Sequence, residues 1–292
     1  MTFGGAADRA FGVAVPDSAE WPRALASIQS PPRAVYFLGA VSVLSRPCVA
    51  IVGSRQPTAY GERVTRELAV ALATAGACVV SGMAFGIDAA AHRAALDCGG
   101  VTAAVLGAGI DIIYPRSHAA LYEDIAQCGV VVSEFPQGKE GFPGCFPRRN
   151  RIIAGLCGLT IVVEAGLRSG ALITATHAAD FGRNVAAVPG QIDSPQSQGS
   201  NQLLRDGAHV IASVEDALAL ANLSASAAAR PLPSLGADEA AVWDAVTQMS
   251  AETADEVIGR TGWPASRTLA ALTQLEIQGL LECSPSGMIS RR

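Results

Sequence analysis

Residues 49–55 read Val49-Ala50-Ile51-Val52-Gly53-Ser54-Arg55, an apolar run that ends in glycine, serine and arginine. The same arrangement recurs along the chain: a short run rich in valine, isoleucine and alanine, then a glycine, then a segment with helical periodicity. Such a repeat is typical of βαβ units. Strands are predicted over residues 49–52, 78–80, 103–106, 130–132, 160–163, 185–188 and 209–211.

Most of these runs are apolar throughout instead of alternating, which is the pattern of parallel strands covered by helices on both faces. The predicted fold class is therefore α/β, with a doubly wound, mostly parallel Rossmann-like sheet and a small C-terminal winged-helix domain. The predicted organisation is a lead-in segment, a Rossmann-like domain, a linker and a winged-helix-like domain, at residues 1–48, 49–220, 221–235 and 236–292. Two prolines mark the linker, and three helical segments with a glycine-turn hairpin indicate the winged helix.

The composition favours a folded protein without a strongly basic surface. Half of the 292 residues are hydrophobic and 16% are charged, and the formal net charge is -5. A surface of this sign repels a polyanion as a whole, so any nucleic-acid site has to be local. Residues 236–292 hold four arginines and eight acidic residues, which gives -4, and the first 235 residues carry the remaining -1.

Several classes of protein are disfavoured by what the sequence lacks. The seven cysteines contain no Cys-x-x-Cys pair, which makes a disulfide framework or a zinc site a poor interpretation and favours a reducing compartment. No run approaches the roughly 20 apolar residues that span a bilayer, and no basic segment followed by a long apolar run opens the chain. We expect a cytoplasmic protein with no membrane partner, no cofactor and no metal.

The residues that follow the strands are mostly small and polar, and in doubly wound sheets ligands bind at this carboxyl edge. Glycine lets backbone N–H groups approach a ligand, and a helix N-terminus carries partial positive charge, so the edge suits phosphate. The candidate binding residues here are Gly53, Ser54, Arg55, Ser81, Gly82, Ser169 and Gly170. For any single loop the need for a tight turn, or for a helix cap at Ser169, explains the residues about as well, but six such loops together favour a ligand edge.

The most specific segment reads Phe146-Pro147-Arg148-Arg149-Asn150-Arg151 and is predicted to open a helix that ends near Cys157. Three arginines at a helix N-terminus oppose the helix dipole, so their placement is unfavourable unless an anion is present. We therefore expect these arginines and Arg55 to contact phosphates, and Asn150 to belong to the same site. Phe146 or Phe142 is suited to stacking on a base. In the alternative interpretation the arginines pair with acidic side chains and the phenylalanines pack beneath the loop.

Known catalytic motifs are missing. Asp88 and His92 lie four residues apart on a helical segment near Ser81, an arrangement compatible with acid/base chemistry. The sequence contains no Gly-x-Ser-x-Gly elbow, no P-loop, no zincin motif and no dinucleotide fingerprint after the first strand. Asp88 and His92 are therefore interpreted as a structural pair, and we expect no enzyme activity.

Taken in order, these segments resemble the DNA-processing protein family called DprA or Smf. The resemblance covers about residues 20–220, and the C-terminal residues resemble the winged-helix domain of some members. It rests on residues 49–55, Ser81-Gly82-Met83-Ala84-Phe85-Gly86-Ile87-Asp88 with Ala91-His92, Tyr114-Pro115, Ser133-Glu134, residues 146–153, Ser169-Gly170 with Thr174-Ala175, Pro189-Gly190 and Gly199-Ser200-Asn201.

The resemblance implies a recombination mediator that binds single-stranded DNA, protects incoming DNA, forms a homodimer and helps load the RecA recombinase during natural transformation. A dimer contact is expected around Leu203, Leu204 and Ile211. Two rivals stay open. One is a phosphoribohydrolase-like enzyme on nucleotides with Glu134 and Glu164 as its acids, and the other is a protein scaffold without salt-sensitive DNA binding.

Overall fold

The structure is a computed structural model that describes residues 11–142, 144–224, 235–246, 252–278, 280–283 and 288–291. The chain forms two compact units, residues 1–227 and 228–292. Most of the predicted linker, residues 225–234, lies outside the described residues. Among the described residues no helix is long and apolar enough to cross a membrane.

The described part of the first unit contains nine strands and seven α-helices. Their order is β1 (Gly12–Ala14), β2 (Val35–Gly39), β3 (Cys48–Val52), α1 (Ala59–Thr74), β4 (Cys78–Ser81), α2 (Ile87–Asp97), β5 (Val101–Gly109), α3 (Ala119–Cys128), β6 (Val130–Phe135), α4 (Cys145–Leu156), β7 (Leu159–Val162), α5 (Gly170–Asp180), β8 (Asn184–Ala187), α6 (Gln198–Arg205), β9 (His209–Val210) and α7 (Val214–Leu220). Short 3-10 helices cover Arg23–Ser27, Val41–Ser45 and Arg116–His118.

The strands form one sheet in the order β1-β2-β6-β5-β4-β3-β7-β8-β9. The seven strands from β6 to β9 in that order are parallel, as predicted, and each of the seven predicted strands is present. After β3 the chain adds β4, β5 and β6 on one side and then β7, β8 and β9 on the other. The order therefore reverses between β3 and β7, and such a switch point leaves a crevice at the carboxyl ends of the two strands.

Two strands of the sheet come from the segment that was interpreted only as a lead-in. β2 pairs antiparallel with β6, with Phe37 opposite Val132, and β1 pairs antiparallel with β2. The sheet therefore begins before residue 49. The pairing covers the edge of β6, which would otherwise present unpaired backbone groups.

Both faces of the sheet are buried, which explains why the strands are apolar throughout. In β3, Ala50 and Val52 belong to the core under α4, α5 and the first 3-10 helix, whereas Val49 and Ile51 belong to the core under α1, α2 and α7. Successive side chains of a strand point to opposite faces, so each residue of this strand meets a helical layer.

The second unit has a winged-helix arrangement, which confirms the predicted class. Its described elements are α8 (Ala237–Ala245), β10 (Glu252–Thr253), α9 (Ala254–Thr261), α10 (Ala265–Ile277), β11 (Leu281–Cys283) and β12 (Met288–Arg291), with a sheet order of β10-β12-β11. Val242, Val257, Leu272 and Ile289 are among the side chains that form its own buried core.

Candidate functional site

An open groove with a volume of about 1700 Å³ lies where the strand order reverses. It is bounded by the loops after β3, β4, β5, β6 and β7, the starts of α4 and α5, and the loop before α6. The structure brings together in its walls most of the candidate residues, namely Gly53, Ser54, Arg55, Phe146, Arg149, Asn150, Ser169 and Gly170. Gly82 lines a small recess that shares Arg55 and Arg149 with the groove. Ser81, Arg148 and Arg151 do not line this groove.

Arg55 lies in the lining of the groove, on a loop that is fixed by contacts with the start of α2. The N–H of Ile87 donates to the carbonyl of Ser54 (3.1 Å), and this ties the loop after β3 to the start of α2. Gly86 has a φ of 75°, and a Cβ there would lie 2.3 Å from the Ser54 carbonyl oxygen, so glycine is required for this approach. The Arg55 side chain is exposed and makes no ion pair with any described residue.

Arg149 is buried at the floor of the groove and is held by the scaffold. Its Nη1 donates to the carbonyl of Gly82 (2.7 Å) and, at a shorter distance, to that of Val105, and its Nε donates to Asn150 Oδ1 (3.2 Å). Burial lowers the pKa of Arg149 to about 10, although the nearby Asp88 carboxylate opposes this shift. The guanidinium therefore stays charged at neutral pH and connects α4 to the loop after β4 and to β5.

Asp88 and His92 are both hydrogen-bonded within the scaffold, but, in the part of the chain that the structure describes, not to each other. An oxygen of Asp88 accepts from the N–H groups of Gly82 (3.0 Å) and Ala84 (3.3 Å), while His92 Nδ1 lies 2.7 Å from the hydroxyl of Thr102. Burial raises the pKa of Asp88 and lowers that of His92 to about 3, so the imidazole is neutral. Asp88 fixes the loop after β4, and His92 fixes α2 to β5.

Arg148 and Arg151 pair with a carboxylate of the chain itself, as in the alternative interpretation, although Arg151 Nη1 is buried without a hydrogen-bond partner among the described residues. Arg148 Nε and Nη2 lie 3.2 and 3.0 Å from the two oxygens of Glu134, and Arg151 Nη2 lies 2.5 Å from Oε1. α4 begins at Cys145, so Pro147 occupies its third position. The anion that the helix dipole favours near these arginines is Glu134, at the end of β6.

Asn150 and Ser81 are also engaged in the scaffold. The Asn150 Nδ2 donates to the carbonyl of Gly170 (3.0 Å), which ties α4 to the start of α5, and Ser169 caps α5 by accepting from the N–H of Ala171 (3.3 Å). Ser81 is fully buried, and its hydroxyl donates to the carbonyl of Ile51 on the neighbouring strand (2.7 Å). The structure thus places Ser81 behind the groove.

Exposed aromatic side chains line the groove, and of these the sequence analysis proposed a stacking role only for Phe142. Phe85, Tyr114 and Phe142 are each about half exposed, and the Tyr114 ring lies 5.4 Å from that of Phe146. Arg168, an exposed residue of the loop after β7, was also missed. Phe85, Tyr114 and Arg168 each follow the end of a parallel strand. That position was the sequence signal that could have identified them as candidate binding residues.

Neither acid of the rival enzyme hypothesis lines the groove. Glu134 is paired with two arginines, as described above. Glu164 is buried, and its two oxygens accept from the backbone N–H (2.9 Å) and the hydroxyl (2.5 Å) of Thr58, the N-cap of α1. A Cβ at Gly61 would lie 2.4 Å from this carboxylate, so glycine is needed for the contact. In the described part of the chain, no cluster of three or more His, Cys, Asp or Glu residues could hold a metal ion.

Comparison with known proteins places the chain in a family. Residues 12–222 match the family described as DNA recombination-mediator protein A, and residues 226–287 match the DprA winged helix domain. The chain belongs to this family. The DprA/Smf resemblance inferred from the sequence is thereby confirmed, as is the winged-helix domain.

Relatives of the family match over most of the chain. The putative DNA processing protein DprA of Mycobacterium tuberculosis is 40% identical over 287 residues, which span 92% of this chain and 74% of that protein. The X-ray structure of DNA processing protein A from Streptococcus pneumoniae is 40% identical with a TM-score of 0.69, and the match covers 72% of this chain and 74% of that one.

A second solved structure has a similar fold. It is that of DNA processing protein A from Helicobacter pylori, described for its single-stranded DNA binding mode. It is 30% identical with a TM-score of 0.68, and the match covers 74% of this chain and 99% of that one.

Proposed function

We propose that this chain is a recombination mediator that binds single-stranded DNA in the groove between the ends of β3 and β7. One observation carries the proposal: Arg55 is exposed in a groove that is also lined by exposed aromatic rings. Its side chain makes no ion pair with any described residue. The related Helicobacter pylori protein, with its single-stranded DNA binding mode, supports it.

The groove combines the two features that hold a single strand. Arg55 and Arg168 provide exposed positive charge for phosphates, while Phe85, Tyr114 and Phe142 offer ring faces on which bases can stack. Phosphate contacts and stacking carry little base information, so we expect binding that is indifferent to sequence. Among the described residues that line the groove, Glu62 is the only exposed acid, and the overall charge of -5 means that attraction to DNA has to be local.

The function is tested by comparing single strands with duplex in gel-shift titrations at fixed salt. We expect the protein to bind a single-stranded oligonucleotide more tightly than the matching blunt duplex, because only unpaired bases can reach the aromatic rings. Equal affinity for the two forms would contradict the proposal.

The proposal includes no catalytic step. Both acids of the rival hypothesis are engaged in hydrogen bonds within the fold, and neither lines the groove. We expect no release of free base from nucleoside monophosphates. Steady release that is lost on Glu164→Gln substitution would favour the enzyme hypothesis instead.

The partners proposed for the chain are a second copy of itself and the RecA recombinase, with a role in natural transformation in the cytoplasm. For the homodimer, Leu203 and Leu204 pack partly against their own core and Ile211 is buried, whereas Val210 on the edge strand β9 is half exposed. The contact we propose therefore involves Val210 in addition to the two leucines. Light scattering at micromolar concentration should give the mass of a dimer, and a monomer would refute it.

The winged-helix domain is proposed not to add to DNA affinity. Its net charge is -4, and Arg267 on α10 is engaged with Asp238 (2.6 and 2.8 Å) and lies over the ring of Trp263 at 4.1 Å. The helix that enters the major groove in winged-helix proteins thus has its arginine neutralised.

Truncation before Pro231 should leave single-strand affinity unchanged or raise it, most visibly at low salt, where repulsion by the acidic domain is least screened. Fluorescence anisotropy with the full chain and the truncated chain measures the difference. A folded truncated protein that loses most of its affinity, together with duplex binding by the isolated domain, would show that the domain is a DNA-binding module.

A further inference from the structure

The loop between β6 and α4, described at residues 136–142 and 144, contributes to one wall of the groove. Gly141 and Phe142 line the groove, and Lys139 is exposed. The described part of the loop is tied near its tip, because the N–H of Gly109 donates to the carbonyl of Lys139 (2.7 Å) and the N–H of Gly138 donates to Asp111 Oδ1 (2.8 Å). Residue 143 lies outside the described residues.

The two ends of this loop are joined by charged side chains. Glu134 lies just before the loop at the end of β6, and Arg148 and Arg151 follow it in the first turns of α4. Both oxygens of Glu134 are occupied by Arg148, and one is shared with Arg151. The Arg148 guanidinium also lies 5.7 Å from the centre of the Phe135 ring. One carboxylate and two guanidinium groups thus close the base of the loop.

Burial makes this contact difficult to exchange for a phosphate. The side chains of Glu134 and Arg151 are each only 10% exposed, so moving Arg151 to another anion would leave a buried carboxylate with less compensation. Arg148 is 54% exposed, but the Nε and Nη2 donors that form its bidentate contact are directed at Glu134. Neither arginine lines the groove.

We propose that Glu134, Arg148 and Arg151 form an ionic clasp that holds the 136–144 loop in place as a wall of the groove. The two arginines are then positioning residues that act through the loop, and phosphate contact is left to Arg55 and Arg168. The consequence for DNA rests on the proposed function, whereas the clasp itself concerns only the loop and can be tested without DNA.

Lys139 provides that test, because it is the only lysine in the sequence. A lysine-specific endoprotease therefore cuts the chain inside this loop alone, and cutting of native protein reports local opening. We expect Glu134→Gln to be cut about tenfold faster than wild type or more, which corresponds to about 1.4 kcal/mol, since it leaves Arg151 buried without its partner. Arg148→Gln, which removes a half-exposed pair, should be cut about two- to fivefold faster.

Arg63→Gln is the matched control. It removes one charge of an exposed ion pair with Glu67 (2.9 Å) on α1 and should be cut at the wild-type rate. Thermal melting separates local opening from general loss of structure: Arg148→Gln should melt close to wild type yet be cut faster. Wild-type cutting rates in both clasp variants would overturn the proposal, as would acceleration in Arg63→Gln equal to that in Arg148→Gln.

The DNA arm distinguishes a clasp from a competitor for phosphate. If the three residues form a clasp, Glu134→Gln should weaken single-strand binding. The salt dependence of binding should stay the same as in wild type, because no phosphate contact is lost or gained. Tighter binding with a steeper salt dependence would show that Glu134 competes with DNA for the two arginines and would overturn the proposal. If the wild-type protein binds no DNA, the proposed function fails while the protease result still decides the clasp.

Discussion

Arg55→Ala should lower the affinity for a single-stranded oligonucleotide by about tenfold or more and flatten the log–log salt dependence by about 0.7, the value for one phosphate contact on a single strand. Arg55 is exposed at the switch-point groove and has no ion pair with a described residue, so its full charge is available to a ligand. Fluorescence anisotropy titrations at several salt concentrations measure both quantities.

The control for this prediction is Arg63→Ala, which removes the same charge from an arginine that does not line the groove. It should bind with nearly the wild-type affinity and slope. An Arg55→Ala protein that is folded and matches wild type in both quantities would place the DNA elsewhere on the molecule.

Arg149→Met should lower the free energy of unfolding by about 1–3 kcal/mol or more at neutral pH, the cost of leaving a buried hydrogen-bond acceptor without its donor. The substitution leaves the buried Asp88 carboxylate without its neighbouring cation and removes the donor from the carbonyls of Gly82 and Val105. Urea denaturation followed by circular dichroism measures the change.

The pH dependence gives this prediction a sign. Burial already raises the pKa of Asp88, and the nearby Arg149 opposes that rise, so the pKa rises further in Arg149→Met. When the pKa of a carboxyl is higher in the folded than in the unfolded state, its protonated form stabilises the fold. This contribution to the free energy of unfolding is lost as the pH rises through the folded-state pKa. The cost of the substitution should therefore shrink as the pH is lowered from 7 toward 4.

Asp88→Asn supplies the matched control. Arg149→Met should lower the free energy of unfolding by less in the Asp88→Asn background than in the wild-type background. In the double variant no buried charge is left uncompensated. Unchanged stability in Arg149→Met, or full additivity of the two changes, would show that Arg149 is not a structural cation.

The parallel sheet could be predicted because its strands are buried on both faces and each is followed by a helix. Val49 and Ile51 face one helical layer and Ala50 and Val52 face the other, so the run is apolar throughout and its pattern does not depend on a particular neighbour. β2 was missed for the opposite reason. Its place in the sheet depends on pairing with β6, nearly one hundred residues later, and its half-buried side chains resemble those of a loop.

The location of the candidate site also followed from the sequence, since residues that end parallel strands meet at one edge of the sheet. Gly53, Arg55 and Ser169 lie in the walls of the groove, and their binding role stays a prediction. A stacking role was not predicted for Phe85 or Tyr114, because exposed and buried aromatic residues look alike in a sequence.

The sequence by itself thus determined the fold class and predicted the edge of the sheet at which the groove lies, because both depend on local patterns and on chain order. Only the tertiary structure decided what each arginine does. Arg55 stays exposed, Arg149 is buried near Asp88, and Arg148 and Arg151 share Glu134. These roles depend on which carboxylates and carbonyls the folded chain brings within about 3 Å of each guanidinium, and such proximity between distant residues is absent from any local pattern.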